Sequence, residues 1–139
     1  MEFFKDPTHL ALTASALITG TMLLASLFKR REGEVTPTEA TLLINREDAL
    51  VIDVRETQEF LTGHIAGARN IPLGKLSDRL AELEADKTRP IVLVCASGTR
   101  SATAQKTLLA AGFAQVNNLA GGVSAWQNAN LPLTKKGQK

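Results

Sequence analysis

The chain has 139 residues, which is enough for one domain and an additional segment but not for two domains with separate cores. Its single cysteine excludes an intramolecular disulfide and a cysteine-rich metal site. The net charge of +2 arises within the first 31 residues, and basic and acidic residues are equal in number in the rest. This balance excludes the basic surface by which a protein tracks nucleic acid, so we expect no nucleic-acid partner.

The first predicted element is a transmembrane helix at residues 10–28. This stretch, LALTASALITGTMLLASLF, holds no charged residue, and its length of roughly 28 Å matches the hydrocarbon core of a bilayer. The basic run KRR at 29–31 follows directly, so the positive-inside rule places the rest of the chain on the cytoplasmic side. We therefore expect a single-pass protein of the inner (cytoplasmic) membrane, with a short N-terminal segment at 1–9 and a basic juxtamembrane linker at 29–34.

Two other interpretations of residues 10–28 are weaker. A cleaved signal peptide needs a basic region before its apolar run, whereas Lys5 is accompanied here by Glu2 and Asp6. An ordinary buried core helix needs a polar residue at every third or fourth position, and no such stripe is visible.

Beyond residue 34, short apolar runs alternate with helical patterns. Continuous apolar runs predict buried parallel strands at 49–54 and 90–94, and a third strand is predicted at 114–119. The capping pattern of Thr36, Pro37 and Glu39 predicts that a first helix begins there and runs to residue 45. A last helix is predicted to carry Trp126 in the core. Between them, helices are predicted at 56–61, 73–84 and 101–111. The alternation predicts an α/β domain. The lysine-containing end of the chain, from Leu131 onward, predicts a solvated tail, which we assign to 133–139.

The candidate site lies where the predicted strand at 90–94 runs into Cys95 and then into a helix. A cysteine in this position faces the unpaired N–H groups and the positive dipole end of the helix, which favour the thiolate. The small residues that follow can curl so that their N–H groups form an anion nest for a thiolate or a persulfide. The loop consists of Ala96, Ser97, Gly98 and Thr99, whose hydroxyls can add hydrogen bonds, and is closed by Arg100, whose guanidinium suits an oxyanion at the rim. An inert buried cysteine needs none of these features.

The spacing separates two chemistries that both use a cysteine followed by an arginine. Four residues lie between Cys95 and Arg100, whereas the loop of Cys-based phosphatases has one residue more and fits a tetrahedral phosphate. The shorter loop gives a tighter ring of N–H groups, which matches a single sulfur atom better. Sulfur transfer is therefore favoured over phosphoester hydrolysis.

Four ordered motifs make residues 35–132 of the chain resemble the rhodanese family, which implies a domain with these bounds. They are VIDVRE at 51–56, GHIAGARNIP at 63–72, CASGTR at 95–100 and NLAGGVSAW at 118–126. The resemblance implies a rhodanese-like domain with a central parallel sheet of about five strands flanked by helices, the active cysteine lying at its carboxyl edge.

The resemblance also implies the reaction. Cys95 accepts sulfane sulfur from thiosulfate or another persulfide donor and passes it to a thiophilic acceptor, a thiol or cyanide, with no metal or organic cofactor. Double-domain rhodaneses have an additional inactive domain that is missing here, so a small-molecule or protein persulfide is as plausible a donor as thiosulfate.

Three other polar residues invite functional interpretation. Asp53, at the end of a predicted strand, is favoured as a structural carboxylate that accepts N–H bonds or pairs with an arginine. Arg55 either adds positive field at the mouth of the site or pairs with a nearby carboxylate. For His64 a scaffold role is favoured over that of a catalytic base, because the nest already activates the thiolate.

Three function classes follow. A sulfurtransferase leads, ahead of a membrane-tethered interaction module without physiological catalysis. A Cys-based phosphatase or arsenate-reductase-like enzyme is the least favoured.

Overall fold

The computed structural model describes residues 33–136. Within this range, no helix is long and apolar enough to cross a membrane. The predicted transmembrane helix at 10–28 and the N-terminal segment at 1–9 lie outside the described residues, as does most of the linker.

Five strands and four α-helices alternate along the described part of the chain. The strands are β1 (Glu34–Val35), β2 (Leu50–Asp53), β3 (Arg69–Asn70), β4 (Ile91–Val94) and β5 (Val116–Leu119). The helices are α1 (Pro37–Glu47), α2 (Thr57–Thr62), α3 (Thr99–Ala110) and α4 (Gly122–Asn128), with 3-10 helices at Leu73–Lys75 and Ser77–Asp86.

All strand pairs are parallel, in the order β1-β5-β4-β2-β3. Every residue of β2 and β4 is buried, because helices cover both faces of these central strands. The prediction of an α/β fold with a parallel sheet of about five strands is confirmed. Since all five strands run the same way, the loops that follow them meet at one edge of the sheet.

The two faces of the sheet have separate hydrophobic cores. Ile91, Leu93 and Cys95 pack on one face with α3 and the 3-10 helices, whereas Val92 and Val94 pack on the other with α1, α2 and α4. Alternation of side chains along β4 therefore directs Cys95 into the core beneath α3.

The structure corrects the helix predicted at 73–84. This segment forms the two 3-10 helices instead, although Leu76 and Leu83 are buried as their spacing predicted. Gly74, Ser77 and Asp78 are weak α-helix formers, so packing of the leucines fixes the segment without an α-helical hydrogen-bond ladder.

Both ends of the domain extend beyond the predicted limits of 35 and 132. Glu34 lies in β1 opposite Asn118 rather than in a linker. At the other end, Leu131, Leu133 and Thr134 are half-buried, whereas the sequence predicts a solvated chain from Leu131 onward. Thr134 pairs with His64 through two backbone hydrogen bonds of 2.7 and 2.9 Å, and the indole N–H of Trp126 donates to the Pro132 carbonyl.

Candidate active site

Cys95 lies directly after β4, in a loop that ends at the N-terminus of α3. Gly98 is the N-cap of α3 and has φ of +101°, a conformation that L side chains rarely adopt. A Cβ at this position would also lie 3.3 Å from the backbone nitrogen of Gly121. Glycine therefore allows the loop to curl tightly between Cys95 and α3.

The sulfur of Cys95 is surrounded by hydrogen-bond donors. The Gly98 N–H donates to Sγ over 3.0 Å, and the Ser101 hydroxyl oxygen lies 3.3 Å from Sγ. Burial by itself would raise the pKa of the thiol. The Ser101 hydroxyl and the backbone N–H groups of Ser101, Ser97 and Gly98 outweigh burial, so the pKa of Cys95 lies below its ordinary value. The loop thus favours a thiolate.

Asn118 on β5 orients the Ser101 hydroxyl. Its side-chain amide donates to the Gly98 carbonyl over 3.0 Å, which turns its oxygen toward Ser101. The Ser101 hydroxyl donates to that oxygen over 2.5 Å. Because a hydroxyl has one proton, Ser101 bonds Asn118 while Cys95 is a thiol and can turn to Sγ when the thiolate forms.

Replacing Ser101 with alanine is expected to raise the pKa of Cys95, because one hydrogen bond to a charged sulfur is lost. The thiolate fraction increases as pH rises through the pKa, so the pH profile of alkylation by iodoacetamide should move to higher pH. Ser77→Ala, at an exposed serine, should leave the profile in place. A profile unchanged in Ser101→Ala would contradict this role.

The other small residues of the loop do not bond the Cys95 sulfur through their side chains. Ala96 is tied to α4 through its carbonyl, which accepts the Ser124 N–H over 3.2 Å. Ser97 and Thr99 are exposed, and within residues 33–136 neither hydroxyl bonds Cys95, in contrast to the prediction. The backbone of the loop, rather than its hydroxyls, holds the sulfur.

The sequence predicts that the Arg100 guanidinium is available to an oxyanion at the rim. In the structure, Glu59 binds this guanidinium instead. Arg100 Nη1 and Nη2 donate to Oε1 and Oε2 of Glu59 over 2.7 and 2.9 Å. The Arg100 side chain lowers the pKa of Glu59 to about 2, and Glu59 raises the pKa of Arg100. The pair is therefore fully charged at neutral pH.

Asp53 and Arg55 form a buried ion pair, the structural role favoured for Asp53. Arg55 Nη2 lies 2.7 Å from Asp53 Oδ2 and also donates to the Gly63 carbonyl over 2.8 Å. The Arg55 backbone N–H donates to Asp53 Oδ1 as well. Asn70 donates to the carbonyls of both residues, which joins β3 to this turn. Arg55 thus braces the loop after β2.

Asp53→Asn is expected to destabilise the fold by about 3 kcal/mol, because it leaves the buried Arg55 charge uncompensated. Urea unfolding of the full-length protein should show this loss as a lower midpoint. Asp78→Asn, at an exposed aspartate, should leave the midpoint within experimental error. Equal midpoints for both variants would show that the pair contributes no net stability.

His64 is buried and packs against Phe60, which is compatible with the scaffold role favoured for it. Its ring stacks on Phe60 with centroids 3.7 Å apart, and its Nδ1 lies 2.8 Å from the Phe60 carbonyl oxygen. These contacts hold the ring in the core of the face opposite Cys95, because Phe60 belongs to that cluster.

Four residues of the site were missed from the sequence. Three of them, Glu59, Ser101 and Asn118, contact the loop through pairings that only the fold creates. The fourth, Gly122, packs against the carbonyl of Cys95, and the Gly-Gly pair at 121–122 is the sequence signal from which this close backbone approach could have been predicted.

The chain matches the model of the Rhodanese-like domain over residues 36–129. It is 40% identical over 127 residues to the uncharacterized protein YibN of Escherichia coli K12, covering 91% of this chain and 86% of YibN. It is 35% identical over 112 residues to the thiosulfate sulfurtransferase GlpE of Pseudomonas putida KT2440, covering 81% of this chain and 96% of GlpE. The crystal structure of a rhodanese-related protein from Thermoplasma volcanium superimposes with a TM-score of 0.65 and 31% identity, over 74% of this chain and 98% of that one. This chain belongs to the rhodanese-like domain family.

Proposed function

We propose that this protein is a sulfurtransferase that accepts sulfane sulfur on Cys95 from thiosulfate or another persulfide donor and passes it to a thiophilic acceptor. The observation that carries the proposal is the environment of the buried Cys95 sulfur, which accepts the Gly98 N–H and lies 3.3 Å from the Ser101 hydroxyl oxygen. Relatives named as sulfurtransferases support the same reaction class.

In the first half-reaction the Cys95 thiolate attacks the outer sulfur of the donor. With thiosulfate, a bond forms between Sγ and the sulfane sulfur, the bond between the two donor sulfurs breaks, and sulfite leaves with the electron pair. The product is a Cys95 persulfide anion. The N–H groups that favour the thiolate also stabilise this anion, because its charge lies within the same loop.

In the second half-reaction an acceptor attacks the outer sulfur of the persulfide and regenerates the Cys95 thiolate. Cyanide leaves as thiocyanate, and a thiol leaves as a new persulfide. The chain has a single cysteine, so it cannot resolve the persulfide by an internal disulfide. The acceptor therefore comes from outside the chain.

The test is treatment of the full-length protein with thiosulfate, followed by intact mass measurement and a thiocyanate assay with cyanide. We expect a mass gain of one sulfur atom, its loss on adding cyanide, and thiocyanate in the solution. Absence of both the adduct and thiocyanate, with a glutathione persulfide donor as well, would refute the proposal in favour of the interaction module. Turnover of an aryl phosphate would instead indicate phosphatase chemistry.

The membrane location is a separate part of the proposal. Its support is the uncharged stretch at 10–28 followed by the basic run at 29–31, from which we infer that the domain lies on the cytoplasmic side of the inner membrane. We expect the protein to remain in the membrane pellet after alkaline washing. In spheroplasts the domain should be protected from added protease. Extraction by alkali, or cleavage of the domain in intact spheroplasts, would contradict the location or the orientation. A domain held at this membrane would exchange sulfur with a partner located there.

A further inference from the structure

The ion pair between Arg100 and Glu59 controls the charge at the rim of the active loop. Both nitrogens at the end of the guanidinium face the two carboxylate oxygens, and the two side chains are 36% and 39% exposed. This bidentate geometry is the arrangement in which a guanidinium binds a carboxylate, a phosphate or a sulfonate. Glu59 therefore occupies the face of Arg100 that an oxyanion would use.

The pair is held in place from both sides. Glu59 belongs to the capping box of α2, where its Oε1 accepts the Glu56 N–H over 3.3 Å. Arg100 lies in the first turn of α3, one residue after the helix begins. The other arginine near the site, Arg55, is engaged by Asp53 and the Gly63 carbonyl. A dianionic donor such as thiosulfate must therefore compete with the Glu59 carboxylate for a guanidinium.

We propose that Glu59 is a specificity-determining residue, which withholds Arg100 from the sulfonate group of thiosulfate and so favours organic hydropersulfides as donors. The inference rests on the proposed sulfurtransferase function. Glu59 acts through Arg100 and does not touch the reacting sulfur atoms.

The chemistry of the two donors explains the preference. With a hydropersulfide R–S–SH, Sγ forms a bond to the outer sulfur, the S–S bond of the donor breaks, and R–S⁻ leaves with the electron pair. The outer sulfur keeps its proton, so Cys95 becomes a protonated persulfide. The sulfur that leaves as a thiolate carries one negative charge rather than the two of sulfite, and no oxygen atom bonded to that sulfur requires a guanidinium. By offsetting the charge of Arg100, the Glu59 carboxylate therefore lowers the rate of sulfur transfer from thiosulfate more than the rate from the hydropersulfide.

The experiment compares the full-length wild-type protein with Glu59→Gln, using thiosulfate and glutathione persulfide as donors and cyanide as acceptor. Glutamine keeps an oxygen for the capping box but leaves the charge of Arg100 uncompensated. We expect kcat/KM for thiosulfate to rise about tenfold, and that for glutathione persulfide to change less than about twofold. In Glu59→Gln/Arg100→Gln the gain for thiosulfate should disappear.

The matched control is Glu84→Gln, which removes the same charge from an exposed pair with Lys87 and should alter neither donor. If Glu59→Gln changes both donors by the same factor, or lowers kcat/KM for thiosulfate, Glu59 is only a support for the loop and the proposal is wrong.

Direct binding tests the inference independently of turnover. Thiosulfate is titrated calorimetrically into Cys95→Ser and into Cys95→Ser/Glu59→Gln, neither of which can form a persulfide. We expect the Kd to be about tenfold lower in the double variant. Equal Kd values would overturn the inference even where the wild type transfers sulfur. Conversely, tighter binding without any persulfide on the wild-type protein would leave the inference about Arg100 standing and refute the proposed reaction.

Discussion

Cys95→Ser is expected to lower thiocyanate formation to less than about one thousandth of the wild-type rate, because removal of a covalent nucleophile leaves only binding and electrostatic effects. A serine hydroxyl does not ionise at neutral pH, and an oxygen at this position cannot carry sulfane sulfur through a persulfide. The mass of the variant should therefore be unchanged after treatment with thiosulfate.

The fold should survive this substitution. Serine is close to cysteine in size, and its hydroxyl has hydrogen-bond partners ready in the Gly98 N–H and the Ser101 hydroxyl. Thermal unfolding followed by circular dichroism should give a Tm close to that of the wild type. Transfer that persists in a folded Cys95→Ser protein would show that Cys95 is not the sulfur carrier.

Gly122→Ala is expected to destabilise the protein by roughly 4–6 kcal/mol, from left-handed backbone strain, overpacking and lost backbone hydrogen bonds together. Gly122 has φ of +57°, and a Cβ there would overlap the Cys95 carbonyl oxygen and the Ala96 carbonyl group. To relieve this overlap, α4 and the active loop must move apart. The N–H groups of Val123 and Ser124 donate to the Cys95 and Ala96 carbonyls at this point, so these hydrogen bonds are lost. A loss of this size is a large part of the total stability of a small domain.

Urea unfolding measures the effect, with Gly74→Ala as the matched control. No atom lies within 4 Å of a Cβ built on Gly74, so that variant should unfold at the wild-type midpoint. Gly122→Ala should also lose sulfur transfer, because α4 holds the active loop through those two carbonyls. A variant that keeps wild-type stability would show that the loop shifts without cost.

The electrostatics of the site follow from these contacts. Arg100 and Arg55 are each paired with a carboxylate, so the stabilisation of negative charge on the sulfur comes mainly from the loop N–H groups and Ser101. Backbone dipoles are fixed by the fold and need no rearrangement when the thiolate becomes a persulfide. The loop therefore favours the thiolate even though Cys95 is only 1% exposed.

The local sequence determined the elements that depend on neighbouring residues. Continuous apolar runs predicted the central strands β2 and β4, and the motif at 95–100 predicted a cysteine before a helix with an uncapped N-terminus. These predictions succeeded because burial on both sheet faces and loop curvature are encoded within a few residues.

Only the tertiary structure decided which charges and hydroxyls meet. Glu59 lies 41 residues before Arg100, and Asn118 lies 17 residues after Ser101. The side chains of such pairs come together because parallel strands bring their carboxyl ends to one edge of the sheet, and helices α2 and α3 begin there. No periodicity or local spacing specifies these pairings. The sequence by itself therefore determined the sheet and the position of the cysteine, while packing decided that Arg100 pairs with Glu59 and that the Ser101 hydroxyl lies beside the sulfur.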